Sequence, residues 1–142
     1  MSAYADTSFL VSLYVLDANS ARAAAQMKQV ELPILLTPLG EVELSNALYL
    51  RLFRNELVAS KIGAAQALFT KDIEGGILEL RSLSQAAYDR AKVMARKYTP
   101  RLGTRTLDIL HVASALVLKA DSFYTFDRNQ RKLAEAEGLA VP

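Results

Sequence analysis

A chain of 142 residues, 51% apolar and 23% charged, is long enough to bury a real core as one domain, and its net charge of +2 is too small to announce a nucleic-acid binder. The lack of cysteine excludes a disulfide framework and a thiolate metal site, and one histidine is too few for a histidine-rich one. No apolar run reaches membrane-spanning length and no charged leader precedes the start, so a cytoplasmic protein without membrane contact is expected.

The first predicted element is a short apolar strand, Ala3 to Ala5, that ends on Asp6. Thr7 and Ser8 then offer hydroxyls to cap a helix through Phe9, Leu10, Leu13, Tyr14 and Leu16. A turn at Asp17 to Ser20 leads into an alanine-rich helix ending near Gln29. Pro33 to Thr37 suits a buried parallel strand, and Thr37-Pro38 starts a third helix that runs to about Phe53, with Asn55 as terminator. A fourth helix covers about Val58 to Ile73 and stops at Gly75-Gly76. Ile77 to Ser82 alternates as a strand does, and Ser84 caps a fifth helix through Tyr98. Thr99 to Thr104 contains Pro100 and Gly103 and is expected to be a loop. A strongly apolar helix follows from about Arg105 to Lys119. Ser122 to Thr125 is a strand just before Asp127, Asn129 to Glu137 a last helix, and Leu139 to Val141 a final short strand. Strands alternate with helices throughout, which predicts an α/β class with a mostly parallel sheet and a single domain over 1–142.

Phosphate-binding glycine signatures are missing. His111 lies inside the apolar run Ile109 to Ala113, which reads as a hydrogen-bonded core position rather than a catalytic base. The carboxylates carry more. Asp6 and Asp127 each follow a strand, Glu43 lies near the start of the third helix, and Asp108 falls in the first turn of the apolar helix. Each taken singly reads as a solvated helix cap. In a parallel sheet, however, strand ends and the helix N-termini after them share one edge, so the four acids converge. Carboxylates that close repel and raise one another's pKa values, a conflict that an oxygen-preferring divalent cation, Mg²⁺ or Mn²⁺, resolves.

Asp6-Thr-Ser8, Glu43-Leu-Ser-Asn-Ala-Leu48, Thr106-Leu-Asp108-Ile-Leu-His-Val-Ala-Ser-Ala115 and Thr125-Phe-Asp127 together resemble the four acidic motifs of PIN-domain ribonucleases. Within that family the chain is most similar to the VapC-type toxins of prokaryotic toxin–antitoxin pairs. The resemblance implies a three-layer α/β/α fold and a Mg²⁺- or Mn²⁺-dependent endoribonuclease acting on RNA. It also implies a homodimer and a cognate antitoxin that blocks the site. Asp6, Glu43 and Asp108 match the core acids and Asp127 the fourth. Glu41 is a rival for Glu43, two residues away and therefore facing elsewhere on a helix; the Glu-Leu-x-Asn-Ala-Leu pattern favours Glu43. Metal held by these acids would polarise the scissile phosphate and activate water, with Thr7, Ser8 and Thr104 orienting waters or phosphates.

Basic residues flank the acids. Arg51 and Arg54 follow Glu43 on its helix, Lys97, Arg101 and Arg105 precede Asp108, and Arg128, Arg131 and Lys132 follow Asp127. Arg51, Arg54, Arg101, Arg105 and Arg128 are expected to contact RNA, and Tyr98 to stack on a base. Two other functions remain open on the sequence: a catalytically silent PIN-like RNA-binding or protein-interaction module, and a PIN nuclease of housekeeping RNA processing. Apolar residues in the third and fourth helices (Leu50, Leu52, Phe53, Val58 and Leu68 among them) exceed what one sheet face can cover, as a dimer patch would.

Overall fold

The computed structural model describes residues 2–142. Four short strands, β1 (Ala3–Ala5), β2 (Ile34–Leu36), β3 (Leu78–Leu80) and β4 (Ser122–Tyr124), form an all-parallel sheet in the order β3-β2-β1-β4. Parallel strands covered on both faces need apolar residues on both, and the alternation supplies them. Ala3, Ala5, Ile34, Leu36 and Tyr124 face one core, while Tyr4, Leu35 and Phe123 face the other.

The first core is closed by α1 (Thr7–Tyr14), α2 (Ser20–Met27), α3 (Pro38–Phe53) and α4 (Ala59–Glu74), through Phe9, Leu10, Ala23, Leu44, Leu48, Ile62 and Ala65. The second is closed by α5 (Gln85–Leu102), α6 (Thr106–Val117) and α7 (Arg128–Ala136), through Met94, Tyr98, Ile109, Val112 and Leu133. This is the three-layer α/β/α arrangement with the sheet in the middle. Fully buried Phe9 and Phe123 each contribute about 1.5–3 kcal/mol to holding the layers together. Among the described residues no helix is long and apolar enough to cross a membrane.

Several expected boundaries move. The first helix stops at Tyr14, because Val15 turns extended and sends Leu16 into solvent, 91% exposed. The second ends at Met27, short of Gln29. Asn55 takes the left-handed backbone that ends the third helix's run. The predicted final strand reduces to one bridge, Ala140 beside Ser122.

The largest correction is the expected loop at Thr99 to Thr104, which is helical through Leu102. Pro100 removes one N–H donor there, but the turn it sits in carries Tyr98, 2% exposed, into the second core. Burial of that ring outweighs the local breaker. Gly103 then ends the helix in the left-handed conformation, φ 60° and ψ 36°, with its N–H on the Thr99 carbonyl. That sharp stop sets where α6, and so Asp108, begins.

Two glycine substitutions should therefore have opposite signs. A Cβ at Gly103 meets no atom within 4 Å, so Gly103→Ala should lose only the backbone penalty of the left-handed state, about 1 kcal/mol. Gly63, inside α4 with equally open space, should gain about 0.5–1 kcal/mol as Gly63→Ala. Urea unfolding of both variants against wild type measures this.

Candidate active site

The strand order fixes where a ligand can sit. From β1 the chain moves outward to β2 and β3, then returns to place β4 on the other side of β1. The helix after β1 lies on the first face of the sheet and the helix after β4 on the second. A crevice opens between them at the carboxyl ends of β1 and β4. A pocket of about 180 Å³ lies there, lined by Asp6, Thr7, Ser8, Glu43, Arg105, Asp108, His111, Asp127 and Gln130. Asp6, Glu43, Asp108 and Asp127, from four separate segments, thus share one pocket. Glu41 lines a different recess, between α3 and α4 beside Gln66 and Phe69.

Asp6 caps α1, as its local sequence suggests, and also faces the pocket. It is 2% exposed. Its Oδ1 accepts from the Ser8 hydroxyl at 2.7 Å and the Phe9 N–H at 3.1 Å, and its Oδ2 from the Thr125 hydroxyl at 2.5 Å. Burial pushes its carboxyl above the usual range; the bonds from Thr125, Ser8 and Phe9 and the nearby His111 offset this only in part. Ser8 Oγ also accepts from the Phe126 N–H, and Thr125 Oγ1 from the Asp127 N–H. The segment that delivers Asp127 is therefore fastened to Asp6.

His111 is more than a core residue. Its ring is 1% exposed, yet it forms part of the pocket wall. Nδ1 meets the buried Tyr4 hydroxyl at 2.8 Å, and Nε2 pairs with Glu43 Oε1. The Thr7 hydroxyl donates to the same Glu43 oxygen at 2.9 Å. Burial alone would push the Glu43 carboxyl up, but the hydrogen bond and charge of His111, with Thr7, bring it below the usual range. The roles of Tyr4, Thr125 and Gln130 escaped the sequence reading. Their only signal was position: Tyr4 inside the first strand, Thr125 just after the last, and Gln130 one helical turn after Asp127.

Asp108 stands in the first turn of α6 with Arg105 Nε 3.5 Å from its Oδ2. Burial raises its carboxyl, Arg105 lowers it, and the facing charge of Asp127 raises it again, for a net rise. Asp127 caps α7, and its Oδ1 accepts from the N–H groups of Asn129 and Gln130 at 2.8 and 2.9 Å.

The surrounding cations divide. Arg105 lines the pocket, whereas Arg101 and Thr104 line a neighbouring recess. Arg51 instead pairs with Asp17 at 3.8 Å. Arg54 and Arg128 are exposed, outside the pocket lining. Arg131 is spent on the Val141 and Pro142 carbonyls and on Glu135. The buried Tyr98 ring is no stacking platform; its hydroxyl reaches the Ala136 carbonyl at 3.4 Å.

A carboxylate and hydroxyl lining is the donor set that a hard divalent cation takes, and the residues fit such an ion in chemistry. Among the described residues no three histidine, aspartate or glutamate side chains are gathered at metal-holding range. Glu43 is drawn to His111 and Asp108 to Arg105.

The family model for the PIN domain matches residues 3–136. No match is found among curated proteins. Solved structures share the fold, among them the following three. VapC20 of Mycobacterium tuberculosis, described as a sarcin-ricin loop cleaving toxin, is 16% identical with a TM-score of 0.74, over 98% of this chain and 97% of its own. FitAcB from Neisseria gonorrhoeae is 17% identical with a TM-score of 0.67, over 98% and 95%. A toxin-antitoxin complex from Klebsiella pneumoniae is 15% identical with a TM-score of 0.64, over 89% and 87%.

The raised Asp108 carboxyl makes a signed prediction. Its folded pKa lies above the unfolded value, so its ionised form opposes folding at neutral pH and not below pH about 4, where both states are protonated. In chelator at pH 7, Asp108→Asn should melt above wild type, and the gap should close as pH falls toward 4. Thermal melts across that range decide it. A variant that is less stable at pH 7 would make Asp108 an ordinary cap.

Proposed function

The chain belongs to the PIN-domain family, and from that premise we propose that it is a Mg²⁺- or Mn²⁺-dependent endoribonuclease, the toxin of a toxin–antitoxin pair, acting in the cytoplasm as one PIN domain. The observation that carries this reading is the convergence of Asp6, Glu43, Asp108 and Asp127 on one pocket at the switch point of the sheet. Two of the structures of similar fold are described as a toxin and as a toxin-antitoxin complex, which supports the toxin assignment.

Asp6, Glu43, Asp108 and Asp127 are the residues that would hold the ion. When bound, the ion supplies the charge that polarises a phosphodiester and lowers the pKa of water beside it. The chain's own residues do the positioning. Asp6 is fixed by Ser8, Thr125 and the Phe9 N–H, so its carboxylate has no freedom to swing. Thr7 and His111 hold Glu43 Oε1 from two sides. Arg105, at the pocket wall, offers a guanidinium to a phosphate oxygen. His111 faces Tyr4 and Glu43, so it orients a carboxylate and does not itself meet the substrate.

A homodimer fits the apolar surface left on α3 and just after it, where Phe53 is 82% and Val58 61% exposed. An antitoxin is the expected second protein partner. A single species at twice the chain mass in light scattering would support the dimer; a monomer at micromolar concentration would remove it.

Asp6→Asn and Asp108→Asn keep shape while removing a charged ligand. Each should reduce Mn²⁺-dependent RNA cleavage by more than the roughly 10–100-fold that loss of outer support for a metal site costs. Circular dichroism should show the fold retained. Cleavage by a folded variant at the wild-type rate would remove the site assignment. Wild type that binds RNA but never cleaves it, with either metal, would favour the silent module.

A further inference from the structure

A second recess adjoins the acidic pocket, about 140 Å³ in volume and lined by Arg101, Leu102, Thr104, Asn129 and Lys132. We propose that it is a subsite for a backbone phosphate of single-stranded RNA, next to the phosphate that is cut. The proposal deepens the ribonuclease reading and rests on it.

Three observations carry it. The first is charge without a partner. Arg51, Arg81, Arg90, Lys92, Arg105 and Arg131 all pair with carboxylates. Arg101 and Lys132 are among the cations with no carboxylate ion pair among the described residues, and what sets them apart is that they line the same small recess. Two cations brought together without an acid repel each other, and an anion between them removes the repulsion.

The second is preorganisation. The Arg101 guanidinium lies 5.7 Å from the centre of the Tyr98 ring, and that ring is buried and tied to the Ala136 carbonyl. A ring face holds the cation while leaving its fork of N–H donors unspent, as a carboxylate would not. The Thr104 hydroxyl is fixed beside it by Thr99 Oγ1 at 2.6 Å. Asn129 adds a side-chain amide. The backbone N–H groups of Asn129 and Gln130 are already committed to Asp127, so the attraction comes from side chains and not from the helix end.

The third is continuity. Thr104 lines the recess and Arg105 the acidic pocket; Asn129 lines the recess and Gln130 the pocket. Consecutive residues therefore separate the two at both walls, a step of about 3.8 Å along the backbone. A nucleic-acid strand carries a charge at every nucleotide, so a strand with one phosphate at the acids has to place a neighbour beside them. An acidic peptide has no such reason to run on into a pocket of carboxylates.

The test is binding, not cleavage, so that it fails separately from the ribonuclease reading. Full-length wild type, Lys132→Gln, Arg101→Gln/Lys132→Gln and a remote control, Lys71→Gln on α4, are titrated with a short single-stranded RNA in EDTA across a salt series. The double variant should bind more weakly, and its slope of log K against log salt should be shallower by about 0.7, one phosphate contact on a single strand. Lys132→Gln should move the same way and Lys71→Gln should match wild type. In a parallel arm, inorganic phosphate should shift the amide resonances of Thr104 and Asn129. Equal slopes for wild type and the double variant would overturn the proposal. So would a phosphate response without RNA binding, which would mark a free-anion site. A glutamate-rich peptide that binds through Arg101 and Lys132 where RNA does not would overturn it in favour of a protein partner.

Discussion

The site depends on keeping one buried carboxylate in place. Asp6 is almost wholly out of water, and an ionised carboxylate there costs several kcal/mol unless its lone pairs are met. They are met by groups from two directions: Ser8 and the Phe9 N–H on its own helix, and Thr125 after the neighbouring strand. The same hydroxyls then hold the backbone of Phe126 and Asp127. The bonds that solve the burial problem of Asp6 therefore also fasten the end of β4 to the start of α1. This is why an acid so deep in the fold carries Ser8 two residues on and Thr125 across the sheet.

A second chain of contacts performs the same task from below. Tyr4 points away from the first core, stacks on Phe123 at 5.5 Å, and turns its hydroxyl to His111. His111 passes the constraint to Glu43, and Thr7 closes it from α1. Strand β1 thus supplies Tyr4 to one acid's support, and the residue just past its end, Asp6, is another acid. Displacing that strand would disturb both at once, whereas Asp108 sits on α6, which packs mainly on α5, and Asp127 caps α7, which packs on α6.

The sheet class, the alternation of elements and the segments that bear the four acids were legible in the sequence, because each rests on a local pattern. Apolar triplets followed by a capping residue mark strand ends, and a proline after Thr37 marks a helix start. What was not legible depends on partners far along the chain. Pro100 and Gly103 read as a loop because the burial of Tyr98 in the second core is invisible locally. His111 read as core because its neighbours are apolar, and it is buried; that its ring reaches Glu43, sixty-eight residues away, follows only from the packing of α6 against β1. Arg131 read as one of the cations flanking Asp127, and that the carbonyls of Val141 and Pro142 take up its guanidinium depends on where the last residues of the chain pack.

Distance explains why cations near the acids in sequence are not equally near in effect. An exposed charge is screened over about 8 Å at physiological salt. Arg51 and Arg54 follow Glu43 on one helix by eight and eleven residues, which at 1.5 Å per residue is about 12 and 16 Å along the axis. Both lie beyond the screening length of Glu43, and Arg51 is already engaged by Asp17. Arg101, Arg105 and Lys132 come instead from the last turn of α5, the start of α6 and the first turns of α7, next to the residues that place Asp108 and Asp127. A polyanion drawn to an acid-lined pocket feels only the positive charge within that range. The turn made at Gly103 follows the end of α5, and Arg101 and Leu102 there line one recess with Asn129 and Lys132 of α7, which sets two cations beside the acid-lined pocket in a chain of net charge only +2.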